Sequence, residues 1–507
     1  MPELAQNAAE CPQTEGRSSA TIPLLRIITL TILFSVSAVY EAIQVSAILA
    51  PAVWVHLRTG VWILQNHAFP RTGLFSQYSN SPWNDAGWSF ELILGLAYRA
   101  LGLRAIPFLL MILKVALALV TFLLARAARA NFWTAIALSA AAQYVIAGLQ
   151  PLPYAFSVIL FAMELILLVH SRESGSSRGL RWLPLLFFIW ANVDIQFVFG
   201  LVLLALYLVA LGIEQLIRRA GRSWISDCVR QVDVKRAAIM GLFSLVATFA
   251  TPYTIHLLPT AFSTLYNHAS FEYFGEMSAM SFRHPQEFVL MLMVMVAFLS
   301  LGRLRSLDSF SLLALIAATA IAFRVQREGW LVALVAVAII PAGLMPGRAA
   351  NSLGYKRQGT AVACLTAIAV IIAAFFLPHQ AALMGKLDQL YPVKACDYIR
   401  DNHLPQPLFN AYSWGSFLTW YLPEYPVAID NRVELYGDQS LESYFGVVGG
   451  KQALETDGRV SPTGTLLLER QSAMTKALLN LPVLKARYRL VYSDDLASVF
   501  VGQPAKE

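Results

Sequence analysis

The sequence predicts a polytopic α-helical membrane protein that carries an α/β domain at its C-terminus. Mean hydropathy is +0.57, and 57% of residues are hydrophobic while only 14% are charged, which is outside the usual range of globular proteins. Apolar stretches near the ~20 residues that a bilayer requires recur along the chain. A polar segment with the composition of a soluble domain follows residue 378.

Basic residues are concentrated in short connectors between the apolar stretches, which predicts the orientation of the chain. The net charge of +7 is explained by these connectors, so we do not expect a nucleic-acid partner. The connectors expected on the cytoplasmic side are 126–129, 171–181, 218–236, 303–305 and 348–357.

About 11 transmembrane helices are expected from the apolar stretches. The first is 23–45, and the later spans are approximately 105–126, 132–148, 154–170, 183–196, 197–216, 237–251, 287–302, 308–323, 330–347 and 359–378.

This scheme predicts three regions: a cytoplasmic tail over 1–22, a transmembrane domain over 23–378 and an outer-face α/β domain over 379–507. The first helix lacks a cleavage site and is expected to act as an uncleaved anchor. A large first outer loop, at about 46–104, follows it. Within that loop, 86–103 is expected to be an interfacial helix because it is short and carries charges.

The C-terminal region contains local signals for both strands and helices. Strands are expected at 417–422, 427–430, 487–492 and 497–501, and helices at 439–447 and 474–481. The four cysteines, at positions 11, 228, 364 and 396, lie too far apart to form a metal motif or to indicate a disulfide framework.

Several motifs resemble those of bacterial integral-membrane glycosyltransferases of the GT-C superfamily. The first loop contains HLRTG (56–60) and FPRTGLFSQYSNSPWNDAGWSFE (69–91). Further matches, in the same order and spacing, are LFFIWANVD (186–194), TPY (251–253), FEYF (271–274), FRVQRE (323–328), NAYSWGSFLTWYLP (410–423) and VAIDNRVELYG (427–437).

The resemblance implies transfer of a sugar from a polyprenyl-phosphate donor to a lipid-linked or cell-envelope glycan on the outer face of a bacterial inner membrane. The activity would be that of a hexosyl- or pentosyltransferase, in which a carboxylate orients or deprotonates the acceptor. Basic side chains would bind the leaving phosphate. The expected partners are the donor lipid, the bilayer and the acceptor, and a requirement for a divalent cation is left open.

Three carboxylates are the candidates for the catalytic group: Asp85, Asp194 and Glu272. Asp85 could instead cap the helix that follows it, and Asp194 could be a solvated turn residue. Glu272 lies in an aromatic cluster that could hold a sugar ring, although such clusters also mark membrane interfaces. Glu41 is a lesser candidate, and Lys114 is expected to extend its amine to the membrane surface.

Six further residues are expected to bind substrate, and none is expected to bind metal: His56, Arg58, Glu91, Asn192, Arg324 and Arg327. The two arginines of FRVQRE could hold the donor phosphate, since guanidinium groups match phosphate oxygens. They could also pair with Glu328 or Glu272. In the tail, Asp430, Arg432 and Glu434 alternate along an expected strand, as either a structural salt-bridge network or an edge that contacts the acceptor.

The chain also departs from the family pattern, which keeps a second function open. Related sequences have Asp where Ala52 and Gly73 stand, His-Glu at Ala86-Gly87, Arg at Leu152 and His at Asp194. These replacements favour a catalytically inactive relative that binds a polyprenyl lipid or assists envelope assembly. A secondary transporter is the third hypothesis, but the sequence lacks the internal repeat that is typical of that class.

Overall fold

The computed structural model describes residues 21–44, 46–220, 232–265, 268–304, 308–344 and 355–503. The expected cytoplasmic tail therefore lies almost entirely outside the described residues, as do Cys11, Cys228 and most of the basic connectors 218–236 and 348–357.

Twenty-one α-helices account for most of the described chain. Their bounds are α1 Thr21–Gln44, α2 Val53–Asn66, α3 Trp88–Leu101, α4 Ala105–Ala127, α5 Phe132–Val145, α6 Pro153–Ser174, α7 Leu183–Ala191, α8 Phe197–Arg219, α9 Val234–Ala247, α10 Leu257–Leu265, α11 His268–Tyr273, α12 Pro285–Gly302, α13 Ser309–Arg324, α14 Gly329–Leu344, α15 Tyr355–Phe375, α16 Gln380–Leu390, α17 Val393–Asp401, α18 Tyr412–Tyr421, α19 Val433–Val448, α20 Ala473–Asn480 and α21 Pro482–Arg487.

Six helical segments of the described chain are long and apolar enough to cross a membrane, or seven if a bent pair counts as one span. The protein is therefore a multi-pass membrane protein. Other stretches expected to span form shorter helices. Of these, α7 has 9 residues while α5 and α9 have 14 each, fewer than the ~20 that a 30 Å hydrocarbon core requires.

Expected cytoplasmic connectors meet at one end of the helix bundle. Arg172 at the end of α6 pairs with Glu214 of α8 at 2.9 Å and with Asp308 before α13 at 2.8 Å. Arg129, after α4, pairs with Glu173. Because α4, α6 and α8 all end here, their first residues lie at the other end of the bundle.

The helix expected to lie at the interface is α3, which continues through a short 3-10 turn (Gly102–Arg104) into α4. The combined segment Trp88–Ala127 qualifies as one candidate span. α3 also packs closely against α2. An added Cβ at Gly60 would lie 2.0 Å from the carbonyl oxygen of Glu91, so only glycine permits this backbone approach.

The C-terminal domain contains a four-stranded sheet in the order β1-β2-β4-β3, formed by Leu408–Asn410, Thr465–Glu469, Ala497–Gly502 and Tyr488–Ser493 respectively. β1 and β2 are parallel, and the other two pairs are antiparallel. The expected strands near 487–492 and 497–501 are confirmed by β3 and β4, and the two expected helices by α19 and α20.

The strand expected at 417–422 was wrong, because that segment belongs to helix α18. Phe417 and Leu418 are fully buried there, and the ring of Phe417 lies 5.5 Å from that of Trp54 in α2. The apolar residues of this segment thus belong to a helix that packs on the membrane domain. The expected strand at 427–430 is reduced to isolated bridges at Val427.

The first loop packs against the C-terminal domain through backbone pairing. The backbone N–H of Gln77 donates to the carbonyl of Val427 at 2.9 Å, and the N–H of Val427 donates to the carbonyl of Phe75 at 3.1 Å. The hydroxyl of Tyr78 donates to Ser440 Oγ at 3.2 Å. These bonds fix the loop that carries Asp85 relative to the domain.

Lys114 does not extend to the membrane surface. It is buried, and its Nζ lies 3.1 Å from Oε2 of Glu41 in α1. Glu41 also accepts hydrogen bonds from Ser46 Oγ and the Ala47 N–H. This contact gives Glu41 a structural role, since a buried carboxylate and a buried amine stabilise each other.

Either single substitution, Lys114→Met or Glu41→Gln, should destabilise the protein by ~3–5 kcal/mol, because the remaining charged or polar partner stays buried. The double substitution should recover most of this loss. Thermal unfolding in detergent measures both effects, with Lys394→Met, at an exposed lysine, as the control. Additive losses in the double variant would contradict the pairing.

Candidate functional site

A cavity of about 520 Å³ opens at the end of the bundle opposite the basic connectors. Its walls come from α2, the first loop, the turns before α6, α8 and α14, and the C-terminal domain. The polar residues that line it are His56, Trp83, Asn84, Asp85, Glu91, Tyr154, Asp194, Gln196, Thr260, Arg324, Arg327, Glu328, Asn431, Arg432 and Glu434. Segments far apart in sequence therefore meet in one polar chamber.

Three of the predicted residues form a cluster on the wall nearest α2. Nδ1 of His56 lies 2.8 Å from Oε1 of Glu91, and the carboxyl group of Asp85 is near enough to that of Glu91 for the two to interact electrostatically. Asp85 Oδ1 also accepts the N–H of Gly87 at 2.9 Å. Because two neighbouring carboxylates repel each other, the pair favours a state in which at least one of them is protonated.

The expectation that Asp85 caps α3 was wrong, since the cap residue is Gly87 and no side chain bonds the first turn. Six positions apart on one helix, Asp85 and Glu91 would be expected to face different sides. Asp85 precedes the helix, so the chain can fold its carboxyl group back onto Glu91.

Burial and electrostatics fix the protonation of this cluster. Burial, reinforced by neighbouring Glu91, raises the pKa of Asp85 well above its usual range. Burial lowers the pKa of His56, although Asp85, Glu434 and Asp194 oppose this effect. Burial therefore favours the protonated form of Asp85 and the uncharged form of the His56 imidazole.

Asp194 lies on the adjacent wall, in the turn between α7 and α8. Its Oδ2 accepts a hydrogen bond from Ser157 Oγ at 2.5 Å, and Ser157 in turn accepts from Trp190 Nε1 at 2.6 Å. Burial raises the pKa of Asp194 to about 6, while the Ser157 hydrogen bond limits the rise. Asp194 is thus mainly ionised above pH 6.

The predicted arginine pair lies on the wall formed by the end of α13. Arg324 stacks 5.7 Å from the ring of Phe271. Arg327 pairs with Glu328 at 3.1 Å and lies 3.6 Å from Glu276. Glu328 is held by Gln196 and Trp330. The expected alternative of pairing with Glu328 is therefore confirmed for Arg327, whose second partner is Glu276 and not Glu272.

The C-terminal domain contributes a buried guanidinium, Arg432, which the sequence left between a structural salt bridge and an acceptor contact. Arg432 binds Asp430 through its Nη2 at 2.6 Å, and lies 4.8 Å from the ring centroid of Trp83. Trp83 Nε1 donates to Glu434 Oε1 at 3.1 Å. The alternation of charges at 430–434 was the available signal, but it was assigned to a strand, whereas Glu434 lies in the first turn of helix α19.

Three predicted residues lie outside the cavity wall. Glu272 is exposed on α11, and Arg58 lies 5.0 Å from the ring of Phe75. Asn192 accepts a hydrogen bond from Trp88 Nε1 and donates to the carbonyls of Phe188 and Ala250. In this structure Asn192 ties helices together.

Most positions that depart from the family pattern do line the cavity: Ala52, Ala86, Gly87, Leu152 and Asp194. Gly73 instead lies against Tyr78 and Leu435. The departures therefore cluster in one chamber. Relative to related sequences, this chamber has an additional carboxylate at Asp194 and lacks acidic residues at other positions. Among the described residues, no group of three or more His, Cys, Asp or Glu side chains is placed to hold a metal ion.

Solved structures with the same architecture show which fold this is, although no family model and no curated protein sequence matches the chain. The Archaeoglobus fulgidus oligosaccharyltransferase with a tethered acceptor peptide containing the NVT sequon is similar at 11% identity and TM-score 0.52. That similarity covers 96% of this chain and 74% of that one.

Two further structures are similar at comparable levels. Archaeoglobus fulgidus AglB, in complex with an inhibitory peptide and a dolichol-phosphate, has 11% identity and TM-score 0.50, over 93% of this chain and 73% of that one. ArnT from Cupriavidus metallidurans bound to undecaprenyl phosphate has 13% identity and TM-score 0.49, over 96% and 99%. The chain thus shares the fold of the two oligosaccharyltransferase structures, which is the GT-C-like fold that the sequence motifs predicted.

Asp85→Asn should raise the melting temperature at pH 8 by about 2 °C. The pKa of Asp85 is higher in the folded protein than in the unfolded protein. Its contribution to the stability of the fold is therefore complete below the unfolded-state pKa and is lost as the pH rises toward the folded-state pKa. Asparagine mimics the protonated carboxyl, since its amide can donate to Glu91. Thermal unfolding at pH 5 and pH 8 measures the effect.

Asp85→Leu is the matched control for that prediction, because leucine has similar volume but no hydrogen-bonding group. If Asp85→Asn lowers the melting temperature as much as Asp85→Leu does, then Asp85 is ionised and is required as a carboxylate.

Proposed function

We propose that this protein transfers a sugar from a polyprenyl-phosphate donor to a lipid-linked or envelope glycan on the outer face of a bacterial inner membrane. One observation carries the proposal: a single chamber combines buried acid groups with an arginine pair and continues into an apolar groove between helices. A sugar, a phosphate and a hydrocarbon chain each require one of these surfaces.

The apolar groove is the part that fits a lipid. It runs between α6, α8, α13 and α14, and it shares Phe199, Val202 and Ile321 with the polar cavity. The groove is narrow, with a volume of about 20 Å³, and Val202, which lines both spaces, is 41% exposed. A polyprenyl chain could lie there while its phosphate enters the chamber.

The arginine wall fits the phosphate. Arg324 forms no ion pair within the described part of the chain, and its guanidinium stacks on an aromatic ring that restricts its position. Arg327 is already paired with two glutamates, so it would share its charge. Guanidinium groups stabilise a leaving phosphate through charge-assisted hydrogen bonds, and Arg324 is the stronger of the two candidates.

The acidic wall fits the hydroxyl groups of an acceptor. Above pH 6, the ionised Asp194 would accept a hydrogen bond from a sugar hydroxyl and orient it. Two solved relatives support this division: one contains a dolichol-phosphate with a peptide, and another contains an acceptor peptide. Both have the fold of this chain at low identity.

The orientation follows from the same geometry. The cavity opens at the end opposite the ion pairs of the basic connectors, and basic connectors face the cytoplasm. This supports a cytoplasmic N-terminus and an extracytoplasmic C-terminal domain.

An inactive lipid-binding or assembly protein is the second candidate. The apolar residues Ala52 and Leu152, in the cavity wall where related sequences have charged groups, favour it. Such a protein would bind the lipid without turning it over, so binding and turnover must be measured separately.

The double variant Arg324→Ala/Arg327→Ala should bind a polyprenyl-phosphate sugar at least ~10-fold more weakly than the wild type, because charge-assisted hydrogen bonds contribute ~1.5–3 kcal/mol. Binding to purified protein in nanodiscs is the measurement. Arg283→Ala, an exposed arginine outside the cavity wall, is the control. Equal binding by the double variant would exclude this wall as the phosphate site.

Ser157→Ala should move the acid limb of the pH–turnover profile upward by ~0.7 pH units, since a hydrogen bond of ~1 kcal/mol is lost. The pKa of Asp194 in the folded protein would rise above about 6. On acidification Asp194 would then be protonated at a higher pH than in the wild type, and turnover would begin to fall at that higher pH. An acid limb that stays in place would show that Asp194 does not act in its ionised form.

A further inference from the structure

We propose that His56 is the general base that deprotonates the acceptor hydroxyl, with Glu91 as the positioning residue that orients its imidazole. This inference rests on the proposed glycosyl transfer and names the group that receives the proton.

The hydrogen bond to Glu91 defines which nitrogen is free. Nδ1 of His56 lies 2.8 Å from Glu91 Oε1. A neutral imidazole donates from one nitrogen and accepts at the other, so a carboxylate at Nδ1 places the proton there. Nε2 then carries the lone pair, and no hydrogen-bond partner is found for it among the described residues. The His56 side chain is 20% exposed and lines the cavity.

Asp85 is the third member of this cluster. Its carboxyl group interacts electrostatically with that of Glu91, and the buried oxygens Asp85 Oδ2 and Glu91 Oε2 have no hydrogen-bond partner in the described chain. A protonated Asp85 can therefore donate to Glu91 while Glu91 accepts from His56. In this proposal the proton of the carboxyl pair resides on Asp85, and a charge on Glu91 would stabilise the imidazolium that forms during the reaction, as in other carboxylate–histidine pairs.

Charged groups from several elements face the imidazole. Asp194 comes from the turn before α8, and Glu434 and Arg432 come from the C-terminal domain. The acids favour the imidazolium and Arg432 opposes it, but burial is the largest effect and lowers the pKa of His56. The imidazole is thus uncharged at pH 7 and free to accept a proton.

Packing holds the imidazole in this position. Its ring meets Phe90 edge-to-face at 5.6 Å, and Phe90 meets Phe156 of α6 at 6.0 Å. The glycine contact between α2 and α3 brings the backbone that carries Glu91 against the helix that carries His56. A base held in this way loses little freedom when the acceptor binds.

The chemical step balances without another reactant. The acceptor oxygen forms a bond to the anomeric carbon as its proton passes to Nε2 of His56. The bond between the anomeric carbon and the phosphate oxygen breaks, and polyprenyl phosphate leaves with the electron pair. The imidazolium later returns its proton to water.

Nitrogen NMR of protein labelled with ¹⁵N-histidine tests the protonation directly and requires no substrate. The His56 signal, assigned by its absence in His56→Gln, should show an uncharged ring at pH 7 with Nδ1 protonated and Nε2 bare. A proton on Nε2, or a charged ring at pH 7, would overturn the proposal.

Turnover provides the second test, measured as release of polyprenyl phosphate from radiolabelled polyprenyl-phosphate hexoses with total envelope lipid as acceptor. His56→Gln and Glu91→Gln should each lower turnover at least ~100-fold, the range of general base catalysis, while donor binding stays at the wild-type level. His67→Gln, an exposed histidine at the end of α2, should leave turnover unchanged.

The outcomes separate the two proposals. Wild-type turnover with full activity in His56→Gln would remove His56 as the base and leave glycosyl transfer in place. Absence of both donor binding and turnover in the wild type would overturn the transferase function and, with it, the role of His56.

Discussion

The site depends on the buried guanidinium of Arg432, which joins the first loop to the C-terminal domain. Asp430 holds this guanidinium, and Trp83 of the first loop packs on it and donates to Glu434. Burial alone would lower the pKa of Arg432, but Asp430 raises it, so the charge persists. Because Trp83 lies two residues before Asp85, this contact also positions the acidic cluster.

The membrane imposes the second constraint. Unpaired polar groups are costly in hydrocarbon, so polar residues on spanning helices must be paired or gathered at a cavity. Glu41 and Lys114 pair inside the bundle, and Glu91 and Arg327 meet the other polar side chains at one helix end. Glu164 of α6 is an exception, because it is buried and neither of its carboxyl oxygens has a hydrogen-bond partner in the described chain. The chamber therefore has an acidic wall, an arginine wall and an adjoining apolar groove, which are the surfaces that the proposed glycosyl transfer would use.

The sequence predicted the helical membrane architecture, the GT-C-like fold and two of the four strands, because hydropathy and motif order are local signals. The strand prediction at 417–422 was wrong. The apolar residues there form helix α18, which packs on α2, and a contact between segments so far apart in sequence leaves no local signal. The pairing of Asp85 with Glu91 was missed because a helical wheel ignores a residue before the helix. Arg432 was noticed as part of a charge pattern, but no local signal places it beside Trp83.

A cryo-electron microscopy structure in nanodiscs with a polyprenyl-phosphate sugar would test the central claim most directly. The account predicts phosphate density against Arg324 and Arg327, a hydrocarbon chain in the groove between α8 and α13, and the sugar facing His56 and Asp194. Lipid density at another surface of the bundle, with the chamber containing only water, would contradict it.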